Sequence, residues 1–234
     1  MSGTATADGS LPAFRNTYWL LRHGRSHANE QDVIVSLPEN GRDPRWGLSG
    51  VGQQQAAAAG RQLAAALAAE PGYAPEQLLV LASPFSRTLQ TAECAGLALG
   101  LAPGDARLQV EDQLRERCFG AYELASCCNY EKVWERDAAS TANRPPGQGG
   151  ESVEDVAHRT AGLIARLEAQ HHGKHIVLVS HGDALSILAA ALMSTPLGSH
   201  RQHGLPNCGI LRIPVAAEAA PAALALPVSC AQSP

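Results

Sequence analysis

The sequence lacks the features of a membrane-spanning or secreted protein. No apolar stretch approaches the roughly 20 residues that a membrane helix needs. The start of the chain, Met1 to Arg15, has no basic residues ahead of an apolar core, so it does not have the form of a secretory signal. We therefore expect a cytoplasmic protein that does not associate with membranes.

An excess of positive charge is also missing. Lysine and arginine together number 18 and aspartate and glutamate 22, which gives a net charge of -4. Proteins that bind nucleic acids carry a basic surface, so the composition excludes general nucleic-acid binding. It does not exclude a small anionic substrate, because the local placement of arginine decides such a site.

The cysteines lack the spacing of a metal site. The chain has six cysteines, and no two of them are arranged as Cys-x-x-Cys. Without a signal peptide we expect their thiols to stay reduced. The sequence therefore predicts neither a zinc site nor another bound metal.

The two ends of the chain differ in composition from its middle. Residues 1–15 are small and polar, and residues 215–234 are rich in alanine and proline without periodicity. We predict a disordered arm, a single domain over residues 16–214 and a disordered tail. Within the domain, a segment of about 121–150 interrupts the pattern of the sheet and closes at Pro145-Pro146-Gly147, so we expect an excursion there.

Apolar runs and helical patterns alternate along the domain. Continuous apolar runs at 18–21, 78–82 and 176–179 predict buried strands, and shorter segments at 106–110 and 208–213 predict two more. Helical patterns separate these runs. The sequence therefore predicts an α/β fold: a three-layer sandwich with a mostly parallel central sheet and helices on both faces.

Reactive side chains follow three of the predicted strands. The first and fourth strands end in His-Gly, at His23 and His181, and Arg87 lies in the first turn of the helix after the second strand. Ligands bind beyond the carboxyl ends of the strands in open α/β sheets. If these strands are neighbours, the histidines share a crevice with Arg22 and Arg87, whose planar forks match phosphate oxygens.

Each of these residues also fits an ordinary structural role when it is considered alone. His181 fits a hydrogen-bonded histidine at a strand end, Arg87 fits a surface residue, and Glu116 fits a loop carboxylate. Their occurrence together favours a phosphoryl-binding site over these roles.

Six short motifs occur in order along residues 18–213. They are Arg22-His23-Gly24 with Asn29 downstream, Leu48-Ser49-x-x-Gly52-x-x-Gln55-Ala56, Ser83-Pro84-x-x-Arg87-x-x-Gln90-Thr91-Ala92, Leu114-x-Glu116-x-x-x-Gly120, Gly150-Glu151-Ser152 and Val179-Ser180-His181-Gly182. Together they resemble the histidine phosphatase superfamily, in its phosphoglycerate-mutase-like branch.

This resemblance implies a covalent mechanism that needs no metal and no cofactor. His23 would be the nucleophile that forms a phosphohistidine, and His181 would assist catalysis by stabilising the transferring oxygens. Glu116 would be the general acid for the leaving oxygen and then the base that activates water. The residues that would contact the phosphoryl group are Arg22, Arg87, His181, Asn29 and Gly182.

Three activities fit the resemblance. Our first expectation is a phosphomonoester hydrolase acting on a small phosphorylated metabolite. The excursion is of moderate length and the tail looks disordered, which would leave a phosphohistidine open to water. A phosphoglycerate mutase is the second activity, and a catalytically idle member that binds a phosphorylated ligand or a partner protein is the third. The sequence does not determine the oligomeric state.

Two departures from the family pattern bear on the substrate. Arg25 stands where an acidic or amide residue is common, and Leu124 stands where the family often has glycine. Arg115 and Arg117 add further positive charge near the expected mouth of the site. We therefore expect Arg25 and Arg117 to favour a substrate with a second anionic group, such as a sugar bisphosphate or phosphoglycerate.

Overall fold

The computed structural model describes residues 14–214 and the backbone of Ala223–Leu224. Most of the predicted arm and tail lies outside these residues. Phe14 and Arg15 were expected in the disordered arm, but both are held in place. The Phe14 ring meets the Tyr18 ring edge-on at 5.4 Å, and the Arg15 N–H donates to Glu168 at 2.7 Å. The ordered domain therefore begins earlier than predicted, because Phe14 packs against the apolar core.

The described residues form one sheet, and the prediction of a mostly parallel sheet is confirmed. Its spatial order is β3-β2-β4-β1-β5-β6. The first four strands in that order are parallel, whereas β5 and β6 run antiparallel to their neighbours. The strands are β1 (Thr17–Arg22), β2 (Leu78–Ala82), β3 (Leu108–Val110), β4 (His175–Ser180), β5 (Ile210–Arg212) and β6 (Ala223–Leu224). The last of these lies in the predicted tail and extends the sheet by pairing with β5.

Helices cover both faces of this sheet. They are α1 (His27–Glu30), α2 (Pro38–Gly41), α3 (Gly50–Ala68), α4 (Ser86–Ala98), α5 (Asn129–Ala139), α6 (Val153–Gln170) and α7 (Gly182–Leu192). Short 3-10 helices lie at Pro44–Trp46, Pro75–Gln77, Asp112–Leu114, Gly120–Tyr122 and Leu197–His203. Among the described residues, none of the helices is long and apolar enough to cross a membrane.

Two apolar clusters show how the three layers are built. Successive side chains of a strand point to opposite faces, so Trp19 and Leu21 of β1 pack with α3 and α4. Tyr18 and Leu20 point the other way and pack with α6 and α7. Because both faces are covered, the strands are apolar throughout rather than alternating, as is usual for parallel sheets. The three-layer sandwich is confirmed.

The excursion is anchored to the loop that follows β1. The carboxylate of Glu123 accepts hydrogen bonds from the backbone N–H groups of Ser36 and Leu37, at 2.8 and 3.0 Å. It also accepts one from the Asn40 amide at 2.8 Å. These contacts fix the start of the excursion, which then continues into α5.

Leu124, directly after that anchor, has left-handed backbone geometry. Its φ is +58°, and its N–H donates to the Ile34 carbonyl at 2.7 Å. The Cβ atom of an ordinary residue is strained in this conformation, whereas glycine adopts it without cost. The departure from glycine noted in the sequence therefore stores backbone strain at an exposed position.

We expect Leu124→Gly to raise the free energy of unfolding by about 0.5–1 kcal/mol, since the relieved strain exceeds the added entropy of the unfolded chain. Urea denaturation followed by circular dichroism measures this change. Leu97→Gly is the matched control, because Leu97 is an exposed leucine within α4 and its replacement should lower stability. Destabilisation by both substitutions would show that Leu124 is not strained.

Candidate active site

The carboxyl ends of β1, β2 and β4 bring the predicted reactive residues together. β4 lies between β1 and β2, so the residues that follow these strands converge on one edge of the sheet. A cavity of about 390 Å³ opens there. Six of the predicted residues line it: Arg22, His23, Asn29, Arg87, Glu116 and Gly182.

His23 is buried and its imidazole is held in one tautomer. Its Nδ1 lies 2.7 Å from the Gly24 carbonyl, and its Nε2 lies 3.2 Å from Nε of Arg87. An arginine nitrogen can only donate and a carbonyl can only accept, so Nδ1 carries the hydrogen and Nε2 holds a lone pair. Burial, and then the charges of Arg87 and Arg22, lower the pKa of His23 well below its usual value. The imidazole is therefore neutral, with its lone pair on Nε2.

Arg22 and Arg87 are each anchored by one backbone carbonyl. Nη1 of Arg22 donates to Leu205 at 2.6 Å, and Nη2 of Arg87 donates to Val35 at 2.9 Å. Nε of Arg22 and Nη1 of Arg87 are buried without a partner among the described residues. Unpaired buried donors are costly, so these atoms are placed for oxygens of an anionic ligand beside His23.

His181 is fully buried and is not one of the residues that line the cavity. Its ring meets the His23 ring edge-on at 5.3 Å, and its Nε2 lies 2.8 Å from the Ser83 hydroxyl. Its Nδ1 has no partner in the described part of the chain. Burial, and then Arg87 and His23, lower the pKa of His181 well below its usual value. If Nε2 accepts from Ser83, the remaining donor is Nδ1–H.

Glu116 is placed to hold a proton inside the cavity. Its Oε1 accepts from the N–H groups of Arg117 and Ala184, at 2.9 and 3.2 Å. Burial, followed by the charge of Asp183, raises the pKa of Glu116, while Arg87 opposes that rise. The hydrogen bonds occupy Oε1, which leaves Oε2 to carry the proton that a general acid delivers.

Asn29 and Gly182 contribute shape and a donor. Oδ1 of Asn29 accepts from the N–H and hydroxyl of Ser26, at 3.0 and 3.1 Å. These bonds use the oxygen of the amide and leave its NH₂ group as a donor in the cavity lining. A Cβ added to Gly182 would lie 3.3 Å from the Arg22 guanidinium carbon. The missing side chain lets that guanidinium lie against the start of α7.

The structure does not place Arg25 or Arg117 in the cavity lining. Arg25 is about half exposed, and its Nε pairs with Glu30 at 3.6 Å. Arg117 is fully buried and binds Asp137 through two hydrogen bonds of 2.6 and 2.8 Å. It also donates to Asp183 at 3.1 Å. We expected both arginines near the site because of their positions in the sequence. The direction of each side chain is decided by packing, which pairs Arg25 with Glu30 and Arg117 with Asp137.

Four of the cavity residues that were not singled out in the sequence carry charged or aromatic side chains. They are Tyr130, Trp134, Asp183 and Arg201. The Tyr130 and Trp134 rings stack at 5.3 Å, which follows from their spacing of four residues on α5. That spacing was the available signal for the aromatic pair. No local pattern marks Arg201, which reaches the site from the 3-10 helix after α7.

We expect Asp137→Ala to destabilise the fold by about 3–5 kcal/mol, because it leaves the buried Arg117 without its bidentate partner. The urea unfolding midpoint measures this loss. Asp112→Ala is the control: its ion pair with Arg42 is more than half exposed on both sides, so the cost should stay below about 1 kcal/mol. Equal effects of the two substitutions would contradict a structural role for Arg117.

Comparisons with known proteins agree with this geometry. The family model described as "Histidine phosphatase superfamily (branch 1)" matches residues 18–223. A probable phosphoglycerate mutase, GpmB, of Salmonella paratyphi C is 27% identical over 198 residues, which is 83% of each chain.

Solved structures give the same picture. A mycobacterial glucosyl-3-phosphoglycerate phosphatase in complex with VO3 is 25% identical with a TM-score of 0.65, covering 84% of this chain and 91% of its own. A phosphoserine phosphatase of Entamoeba histolytica, solved with 3-phosphoglyceric acid, shares the fold at 22% identity and a TM-score of 0.65, covering 84% and 89%. The matched family contains phosphatases and mutases, which are phosphoryl-transfer enzymes, and this chain belongs to it: it is a member of the histidine phosphatase superfamily, branch 1.

Proposed function

We propose that this protein is a metal-independent phosphomonoester hydrolase that acts through a phosphohistidine on a small phosphorylated metabolite. The observation that carries the proposal is the position of the His23 Nε2 atom, which bears a lone pair. It lies 3.2 Å from Nε of Arg87, in a cavity that Glu116 also lines. A cavity of about 390 Å³ lies at the small end of the range for ligand sites, which favours a small metabolite.

The first step transfers the phosphoryl group to the enzyme. Nε2 of His23 attacks phosphorus, the ester P–O bond breaks, and Glu116 gives its proton to the leaving oxygen. The unpaired donors of Arg22 and Arg87 bind the phosphoryl oxygens, whose charge must be stabilised during the transfer. His181 lies outside the cavity lining, 5.3 Å ring to ring from His23, and adds a donor through Nδ1–H when its Nε2 accepts from Ser83. Two guanidinium groups supply the positive charge that a metal ion provides in other phosphoryl-transfer sites.

The second step returns the enzyme to its starting state. Water attacks phosphorus while the carboxylate of Glu116 takes a proton from it, and the P–N bond breaks. Inorganic phosphate leaves, and Nε2 of His23 recovers its lone pair. The same carboxyl group serves both steps, because it lines the cavity beside the nucleophile.

Burial selects the protonation states that this cycle needs. In water, as the pH rises, glutamic acid with a pKa near 4.5 loses its proton before histidine with a pKa near 6.5 does. The productive combination of neutral histidine and protonated glutamic acid is then rare. The site lowers the pKa of His23 and raises that of Glu116, since burial disfavours the charged form of both.

A mutase activity is the second candidate, favoured by the matched relatives named as probable phosphoglycerate mutases. A mutase must keep its phosphohistidine until a second hydroxyl takes the phosphoryl group. The hydrolase is preferred because the chain also resembles phosphatases in its structure.

The first test measures phosphate release from p-nitrophenyl phosphate in EDTA. We expect activity in the wild type and a loss of at least about a thousandfold in His23→Ala, because the covalent route is removed. His27→Ala is the matched control, since His27 is about half exposed and pairs with Glu30 at 3.2 Å. A metal requirement, or activity that survives the loss of His23, would contradict the mechanism.

The same assay separates the alternatives. Interconversion of 2- and 3-phosphoglycerate faster than phosphate release would identify a mutase. Binding of phosphomonoesters without turnover of any of them would identify a catalytically idle member of the family.

The second test is the pH profile of kcat/KM. We expect a bell-shaped profile. Its acid limb reflects protonation of His23, and its alkaline limb reflects loss of the Glu116 proton. Glu116→Gln should remove the alkaline limb from the profile. It should also slow the hydrolysis of glycerol 3-phosphate by about a hundredfold or more. The loss should be smaller for p-nitrophenyl phosphate, whose leaving group needs less protonation. An unchanged profile in Glu116→Gln would rule out this acid.

A further inference from the structure

Arg201 is the third arginine of the cavity, and the mechanism does not use it. It lies on the 3-10 helix Leu197–His203, after α7, and lines the cavity together with Arg22 and Arg87. Its guanidinium carbon lies 3.5 Å from the centre of the Trp134 ring. This cation–π contact holds the guanidinium in place beside the site.

The guanidinium donors of Arg201 are not taken up by the residues that the structure describes. Within the described residues, its side chain makes no hydrogen bond, and its ion pair with Asp183 is 3.6 Å long. That distance is too long for a hydrogen bond. The oxygens of Asp183 are already occupied, because Oδ1 accepts from Trp134 at 2.9 Å and Oδ2 from Arg117 at 3.1 Å. The Arg201 side chain is 41% exposed, so a ligand can reach it.

The charges around Arg201 favour an added anion. Burial is the main cause of the lowered pKa of Arg22; the charge of Glu116 opposes it, and the nearby positive charge of Arg201 adds to it. Asp183 offsets the repulsion between the two guanidinium groups only in part, because it also pairs with the buried Arg117 at 3.1 Å. The remainder of the lining includes apolar side chains that do not compete for an anion: Ala28, Val33, Val35, Leu205 and Pro206.

We infer that Arg201 binds a second anionic group of the substrate, so that the preferred substrates are small phosphomonoesters that also carry a carboxylate or a second phosphate. This inference rests on the proposed function and names its substrate class. The arginine fork matches either group through paired hydrogen bonds. Trp134 stacks on Tyr130 at 5.3 Å and fixes the fork before binding, which reduces the entropy lost when the anion is bound.

The test measures binding by calorimetry in the His23→Ala background, where no turnover is needed. Two matched pairs of probes differ in one anionic group: 3-phosphoglycerate against glycerol 3-phosphate, and fructose 1,6-bisphosphate against fructose 6-phosphate. We expect the doubly anionic probe of at least one pair to bind more tightly. The added substitution Arg201→Met should lower that affinity ratio by about tenfold or more, the size expected for charge-assisted hydrogen bonds. The pair that responds tells whether the group is a carboxylate or a phosphate.

Three control variants make the result decisive. Arg61→Met removes a surface arginine of α3 and should leave the ratio unchanged. Arg201→Lys should give an intermediate ratio, and it replaces Arg201→Met if that variant unfolds. A shift of the ratio by Arg25→Met in place of the Arg201 variants would overturn the inference, as would a ratio that folded Arg201 variants leave unchanged. Absence of phosphatase activity would count against the proposed function alone, because the binding assay does not depend on it.

Discussion

The burial of one neutral imidazole is the constraint on which the site depends. His23 follows β1 at the carboxyl edge of the sheet, where its Nδ1–H donates to the Gly24 carbonyl and its Nε2 accepts from Nε of Arg87. Burying charged groups is costly unless they are paired. Buried nitrogens of Arg22, Arg87 and His181 near this imidazole have no partner among the described residues. The same desolvation that keeps His23 neutral therefore also makes the site ready for an anion.

Burial also has the largest effect on the pKa of Glu116. Glu116 is buried near Asp183, so its pKa rises, whereas that of His23 falls. A protonated carboxyl group and a neutral imidazole can then coexist, although in water their ordinary pKa values would favour the opposite charges. The backbone N–H groups of Arg117 and Ala184 keep one oxygen of Glu116 in place without supplying a full positive charge.

Asp183 links the cavity that holds His23 and Glu116 to the excursion. Its two oxygens accept from Arg117 and from Trp134, and Arg201 lies just beyond hydrogen-bonding distance. Arg117 in turn holds Asp137 of α5 in a fully buried ion pair. Removing one partner of such a network leaves a buried charge uncompensated. The network thus joins α5, which supplies the aromatic wall of the cavity, to the first turn of α7, which supports Glu116.

The sequence by itself determined the sheet and brought six of the predicted site residues to one cavity, because these follow from local patterns. Apolar runs specify the strands, and the residues after the strand ends converge in any parallel sheet. The sequence did not determine the direction or the ion-pair partners of charged side chains whose partners are distant in the chain. Arg117 turns inward to Asp137, Arg25 turns outward to Glu30, and Arg201 reaches the cavity from the 3-10 helix after α7. Only the tertiary structure decided these cases, since the direction of a long charged side chain depends on which carboxylates packing brings beside it.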